Sequence, residues 1–342
     1  MFKLSDFDYI LPKKLISQEP IKPRDKARLL ILQKESGIIR HDNFFNLANI
    51  LKEGDVLVFN DSKVIPARIY GKKKTGGEIE IFLLSCVSNI SQQCVWECLL
   101  RGKIKSGEEI FITPKVSAEI IKGDDKVKAV RFNCEKEKLF SLGETPLPPY
   151  IKTKAKLQDY QTVYAKNSGS VAAPTAGLHF TKRLFSKLKK AGIKTEFVTL
   201  HVGLGTFEPV KTENILQHKM HSELASIDKS VAKRLNLAKK EGRRIIAVGT
   251  TAARTLESFS QGNEIVSGKK WVDIFIYPEY KFNFVEGLIT NFHLPKSTLL
   301  MLISALASSD SKKGIKIIKK AYAEAIELKY KFYSFGDGMF LC

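Results

Sequence analysis

The sequence holds five cysteines in 342 residues, and no two of them stand as a CxxC pair. An odd number without that spacing argues against both a disulfide framework and a structural zinc site. No apolar run approaches the ~20 residues that span a bilayer, the most apolar segment being only 299–307. The opening MFKLSDFDYILPKKL lacks the uninterrupted apolar core of a signal peptide, which predicts a cytoplasmic protein. Also missing are a GxxxxGK[ST] phosphate loop and a GxSxG nucleophile elbow. His201-Val-Gly-Leu-Gly-Thr206 has glycines two apart but not the third glycine of a dinucleotide fingerprint, nor its strand-turn-helix setting.

Positive charge is abundant. Lys+Arg 56 against Asp+Glu 36 leaves a formal charge of +20, while 44% hydrophobic and 27% charged residues describe a chain able to bury a real core. Such an excess favours a polyanionic partner or an anionic membrane surface, the alternative being a lysine-biased surface that is merely solvated.

The texture changes twice along the chain. Residues 1–62 carry two strand-like runs, RLLILQ and DVLVFND, around a short helical candidate at NFFNLANIL, and do not close a fold alone. Residues 63–150 are short β-rich segments split by the turn signals KKTGGE, SGEE and IKGDDK and stopped at PLPPY, which predicts a small barrel or sandwich. Within it Cys94, Trp96 and Cys98 alternate as one face of a strand. From 151 onward, helical candidates near 181–191, 229–241, 251–259, 298–307 and 313–330 alternate with EFVTLHV, RIIAVG, VDIFIY and GLITNF. That alternation predicts an α/β domain, barrel-like, with mostly parallel strands and helices. Residues 1–62 and 151–342 are read as this one discontinuous catalytic domain, with 63–150 inserted into it as a small all-β barrel.

Four loops share one vocabulary of Gly, Thr, Ser, His and Pro: 174–180, 200–210, 247–258 and 290–298. Loops at the carboxyl ends of parallel strands collect around one ligand, so a shared pocket is the economical reading. The stretch VAAPTAGLHF, 171–180, has neither helical nor strand period, and its small side chains clear an approach for backbone before presenting His179. The ligand-contact candidates are Pro174, Thr175, Gly177, Gly203, Gly205, Thr206, Gly249, Thr250, Thr251, Arg254, Asn291, His293, Lys296 and Ser297. At 247–258 a strand runs into a helix, where Thr250 or Thr251 can cap free amides that also suit an anion; the plainer reading is an ordinary cap with Arg254 and Glu257 as a surface pair. His218 and His221 are three apart and can share a helical face with Glu223 nearby, but no third metal ligand has a recognisable spacing. In YKFYSFGDGMF, Asp337 sits between two glycines beside aromatics, which suits either a cationic ligand or a tight turn packed on the core. What remains is histidine-centred acid/base chemistry, with His179, His201, His221 and Asp337 as the catalytic candidates.

Together these segments resemble the S-adenosylmethionine:tRNA ribosyltransferase-isomerases of queuosine synthesis, the QueA family. The likeness runs through YILPKKLISQEP, RDKARLLIL, GDVLVFNDSKVIPARIYG, TGGEIEIFLL, PLPPYI, YQTVYAK, VAAPTAGLHF, HVGLGTFEPV, TNFHLPKSTLLML and FYSFGDGM. Small departures are Tyr277-Pro-Glu-Tyr280, where the family commonly has YPGY, and Gly336-Asp-Gly-Met339, where it has GDAM. The resemblance implies transfer and isomerisation of the ribosyl part of S-adenosylmethionine onto 7-aminomethyl-7-deazaguanine at the tRNA wobble position, giving epoxyqueuosine with release of adenine and methionine. It also implies an inserted β-barrel beside a larger α/β domain. No separate cofactor is expected, S-adenosylmethionine being consumed, and the expected partners are that tRNA and S-adenosylmethionine, without a membrane or an obligate protein partner. Lys72–Lys74, Arg101–Lys105 and Lys152–Lys156 are the segments expected to grip phosphates. A non-catalytic RNA-binding protein accounts for the charge but not the loops, and a small-molecule nucleoside enzyme for the loops but not the charge.

Overall fold

The computed structural model describes residues 2–90, 92–123, 127–153, 155–203 and 210–342. The first strands are β1 (Arg28–Leu32), β2 (Ile39–Asn43), β3 (Val56–Asn60) and β4 (Ser62–Val64). Then come β5 (Arg68–Lys73), β6 (Glu78–Ile90), β7 (Gln93–Arg101), β8 (Glu109–Thr113), β9 (Val116–Gly123) and β10 (Lys128–Phe132). Later strands are β11 (Asn167–Ser170), β12 (Lys194–Leu200), β13 (Glu223–Ile227), β14 (Ile245–Val248), β15 (Ser260–Gln261), β16 (Glu264–Ile265), β17 (Gly268–Val272), β18 (Gly287–Asn291) and β19 (Gly338–Leu341). The α-helices are α1 (Leu47–Ile50), α2 (Lys136–Leu142), α3 (Lys182–Lys190), α4 (Lys229–Lys240), α5 (Thr250–Phe259), α6 (Thr298–Ala307) and α7 (Ser311–Glu327).

The β-rich segment closes into a six-stranded barrel in the order β10-β7-β6-β5-β8-β9, with every pairing antiparallel. Period-two alternation fills its interior. Cys94, Trp96 and Cys98 all point inward from β7, meeting Ile69, Ile81, Val130 and Phe132. A Cβ on Gly71 would lie 2.5 Å from the Ile110 side chain and 2.9 Å from the Phe111 carbonyl, so only glycine lets β5 pass β8 this closely.

The larger unit is a nine-stranded sheet, ordered β17-β13-β12-β3-β14-β18-β19-β1-β2. In β3 every residue is buried because both faces are covered: Val56 and Val58 join one hydrophobic cluster, Leu57 and Phe59 another. Strand β3 pairs with β12 and β14, and β1 pairs with β19, so early and late parts of the sequence are interleaved in one sheet.

Two expectations are corrected here. The sheet is open and mixed instead of barrel-like and mostly parallel: β12–β3, β3–β14, β14–β18 and β19–β1 are parallel, whereas β17–β13, β13–β12, β18–β19 and β1–β2 are antiparallel. Apolar runs identify strands but not the direction of their neighbours; the short turn after Leu32 allows only an antiparallel return into β2. VDIFIY is not a strand either, since β17 ends at Val272. Beyond it Phe275 and Tyr277 pack against the core, so their hydrophobicity serves loop anchoring.

Helix α6 is buried all round from Leu300 to Ala307, which its nearly all-apolar sequence suits, and the Ser304 hydroxyl is satisfied by the Leu300 carbonyl. It packs on α7 at Gly314, where a Cβ would stand 2.3 Å from the Ser304 carbonyl.

Candidate active site

Strand β14 is followed by Gly249, whose φ of 91° turns the backbone into α5. Its N–H donates to the Ile289 carbonyl at 2.8 Å, which ties the start of α5 to β18. Because glycine has no side chain to offer, the first turn of α5 carries no side-chain cap. Unused N–H groups and the positive end of the helix dipole favour an electron-rich or anionic ligand. Thr250 and Thr251 stand at this terminus, and the Thr251 hydroxyl is buried without a hydrogen-bond partner among the described residues.

This terminus opens on a cleft that also takes in Ala172 to Ala176, Val202, Thr290 to Leu294, and Tyr150, Tyr160, Tyr333 and Ser334. Three of the four loops singled out in the sequence therefore meet with several residues each, and the fourth contributes Val202. Thr175 donates its hydroxyl to Oδ1 of Asn291 at 2.8 Å, joining two of them. The small residues have two separate uses: Ala172, Ala173 and Ala176 line the cleft, whereas Gly177 clears the Tyr164 ring, since a Cβ there would lie 1.8 Å from its hydroxyl.

The histidines occupy different environments. His179 is buried behind the cleft, stacked on Phe44 with centroids 4.3 Å apart, and its Nε2 lies 3.3 Å from the Asn291 amide nitrogen. Burial pushes its pKa down to about 4 despite a hydrogen bond to the Arg24 backbone, so the ring is neutral. His293 lines the cleft itself, 3.0 Å from the Thr290 hydroxyl, with its pKa lowered by burial to about 3. His201 faces a neighbouring cavity, its Nδ1 2.8 Å from the Ser62 hydroxyl; burial and then Lys269 lower its pKa. His221 is exposed. The helical face expected for His218 and His221 does not form: residues 218–222 are irregular, and His218 packs edge-on against Phe275. Among the described residues no group of three His, Cys, Asp or Glu comes together as a metal site.

Asp337 lies outside the cleft lining and accepts the backbone N–H groups of Arg28 at 2.8 Å and Lys331 at 2.7 Å. Burial raises its pKa, against the pull of those two bonds. The aromatic face expected to await a cationic ligand is already covered, because the Arg28 guanidinium sits 3.7 Å over the Tyr330 ring. The flanking glycines have steric reasons: a Cβ on Gly336 would meet the Lys331 carbonyl at 2.5 Å, and one on Gly338 the Phe44 ring at 2.5 Å.

Arg254 and Glu257 are not a surface pair. Arg254 forms a buried ion pair with Glu223, whose other oxygen accepts the Gly203 N–H at 3.0 Å. Glu257 accepts the backbone N–H groups of Asn283, Phe284 and Val285. Both side chains face inward because α5 is nearly enclosed by its surroundings. Ser297 caps α6, and Lys296 pairs with Asp8 at 3.0 Å. Gly205 and Thr206 lie outside the described residues. Sequence reasoning missed the aromatic wall of Tyr150, Tyr160 and Tyr333, whose only signal was their place in non-periodic segments such as PLPPY.

Residues 4–341 match the model of a family described as queuosine biosynthesis protein. The chain is 49% identical over 99% of both chains to the S-adenosylmethionine:tRNA ribosyltransferase-isomerase of Thermosipho melanesiensis. It is likewise 49% identical, again over 99% of both, to the protein of that name from Carboxydothermus hydrogenoformans. A crystal structure of S-adenosylmethionine tRNA ribosyltransferase from Thermotoga maritima superposes with a TM-score of 0.57 at 36% identity, covering 98% of this chain and all of that one. With the match spanning both the barrel and the sheet that builds the cleft, the chain belongs to the queuosine biosynthesis protein family.

Proposed function

We propose that the protein transfers and isomerises the ribosyl part of S-adenosylmethionine onto 7-aminomethyl-7-deazaguanine at the wobble position of tRNA, forming epoxyqueuosine and releasing adenine and methionine. The observation that carries this reading is the cleft at the uncapped start of α5, where the 172–176, 249–251 and 290–294 loops meet, in a chain whose relatives bear that activity in their names.

The sulfonium of S-adenosylmethionine acidifies the adjacent 5′ carbon and is itself a leaving group, so the protein must mainly position groups and move protons. One group takes the 5′ proton, one protonates the departing adenine, and the attacking amine must be neutral. The adenosyl group lies in the cleft, with Thr250, Thr251, Thr175 and Asn291 offering hydrogen bonds and Ala172 to Ala176 allowing close backbone approach. His293 is the imidazole nearest the reacting atoms. His179 acts through Asn291, and His201 faces the adjoining cavity, away from the reacting atoms. His221 and Asp337, both outside the cleft lining, are assigned no proton transfer.

The wobble base sits in a single-stranded loop and can be splayed out at low unpairing cost. Lys72–Lys74 and Arg101–Lys105 meet at one end of the barrel, where Lys73 Nζ donates to the Lys103 carbonyl at 2.9 Å and pairs with Glu108 at 3.4 Å, and the other cations of this end grip tRNA phosphates. Among the described residues no helix is long and apolar enough to cross a membrane.

The test is incubation with S-adenosylmethionine and tRNA bearing the aminomethyl base, followed by mass analysis of the nucleosides. Epoxyqueuosine and free adenine are expected. Adenosylmethionine turnover that needs no tRNA would favour a small-molecule nucleoside enzyme, and tRNA binding without turnover a binding protein.

A further inference from the structure

Beside the cleft, on the far side of the His201-Val202 backbone, lies a second cavity of about 370 Å³. Its lining is mostly polar: Asp61, Thr199 and His201 form the floor, and the exposed Lys166, Asn167, Lys269 and Asp228 stand at the rim. Alternation along the chain separates the two spaces, His201 facing this one and Val202 the cleft.

The floor is built. Asp61 accepts the Thr199 hydroxyl at 2.7 Å and the Asn167 amide at 3.1 Å, so its carboxylate is occupied by neutral donors. His201 is fixed by a directional relay. The Ser170 hydroxyl oxygen accepts the Val202 N–H at 2.7 Å and the Ser62 hydroxyl at 2.9 Å, and the Ser62 oxygen is 2.8 Å from His201 Nδ1. With the Ser62 proton spent on Ser170, Ser62 accepts from Nδ1–H of His201, which leaves Nε2 as an acceptor facing the cavity. Gly169 holds the ring from the side, since a Cβ there would lie 2.8 Å from it. Lys166 and Lys269 are exposed and make no ion pair among the described residues.

We propose that this cavity is a second binding site, taking one nucleotide of the RNA loop next to the base being modified, with its phosphate at Lys166 and Lys269 and its ribose hydroxyl donating to Nε2 of His201. The inference rests on the tRNA reading above and deepens it. Two lysines without an ion pair among the described residues, beside a fixed imidazole acceptor and an Asp61 carboxylate already occupied by Thr199 and Asn167, suit a phosphodiester whose ribose hydroxyl can donate, and the volume falls in the range of sites that enclose small ligands. A nucleotide held there lies one backbone step from the cleft, so the site sets which neighbour of the target base is accepted.

Steady-state kinetics and direct tRNA binding by fluorescence anisotropy on the full chain, wild type against K166A/K269A, test this. The double variant is expected to raise the KM and Kd for tRNA about tenfold or more, with kcat and the KM for S-adenosylmethionine within twofold. Its log Kd against log salt should flatten by about 1.4 to 1.8, from two contacts at ~0.7 to ~0.9 each. An unchanged Kd for tRNA overturns the proposal. A raised KM for S-adenosylmethionine with unchanged tRNA binding also overturns it, giving the cavity to the methionine end. If wild-type protein binds tRNA but shows no turnover, the reaction assignment fails, and the anisotropy comparison still decides the site.

Discussion

Asn291 is held from both sides: its amide nitrogen lies 3.3 Å from the buried Nε2 of His179, and its oxygen accepts the Thr175 hydroxyl at 2.8 Å. A neutral imidazole that accepts from the amide fixes which way the amide faces, leaving its second N–H for the cleft.

Asn291→Ala should therefore lower kcat/KM for S-adenosylmethionine about 10- to 100-fold, equivalent to ~1.4 to ~2.8 kcal/mol. His179→Ala should cost about 2–4 kcal/mol of stability, by opening a void behind Asn291 and removing the acceptor of its amide. Thermal melting and kinetics on the same preparations separate the two. A His179→Ala protein with unchanged melting temperature and kcat down more than ~10²-fold would make His179 a direct acid or base.

Stability should fall in mild acid. His179 and His293 titrate near 4 and 3 in the folded protein, against an ordinary 6.5, so below that value the unfolded chain binds protons that the folded one refuses. Their contribution is whole above about pH 6.5 and is lost progressively as pH drops toward 4. Urea midpoints between pH 7.5 and 4.5 should decline, and His293→Asn should shallow the decline; a flat profile contradicts it.

Glu223→Ala should destabilise by about 3–5 kcal/mol, because it leaves the Arg254 guanidinium buried without its carboxylate. Chemical denaturation measures this, and a loss under ~1 kcal/mol would show that water reaches the pair.

Affinity for tRNA should depend steeply on salt. If about five phosphates are contacted, log K falls against log salt with a slope of roughly −3.5 to −4.5. Replacing Lys72, Lys73 and Lys74 by Ala should weaken tRNA binding and leave S-adenosylmethionine binding unchanged; equal effects on both would remove the barrel end from the interface.

Chelation should leave turnover intact, since the described residues assemble no metal-ligand group. Loss of a stoichiometric metal together with activity on treatment with EDTA would refute this and direct attention to His218 and His221.

The barrel and the helices were legible because alternation at Cys94, Trp96 and Cys98, or a 3.6-residue stripe as in α3, is a local consequence of burial. Strand direction was not, because neighbours such as β18 and β19 are chosen by packing between distant segments. The cleft was half legible. Non-periodic loops rich in small and polar residues marked it, but only coordinates show that His179 points to the rear, that Asp337 is consumed by two backbone amides, and that Arg254 has a carboxylate from another strand. In each case the residue type fits both a chemical and a packing role, and the partner that decides lies far away in sequence.

The sheet pairing also dictates an order of assembly. Leu29 pairs with Gly338, and Gly338 in turn sits opposite Asn291, so β19 fills the gap between a strand made early in synthesis and the strand that carries the cleft's amide. Until β19 has been made, β1 and β18 each lack the neighbour that β19 provides, and contacts of such long sequence separation form slowly. The nascent chain can complete its barrel long before it can hold Asn291 in place. Completion of the cleft thus waits on β19, and a chain stalled before it would expose two unpaired strand edges.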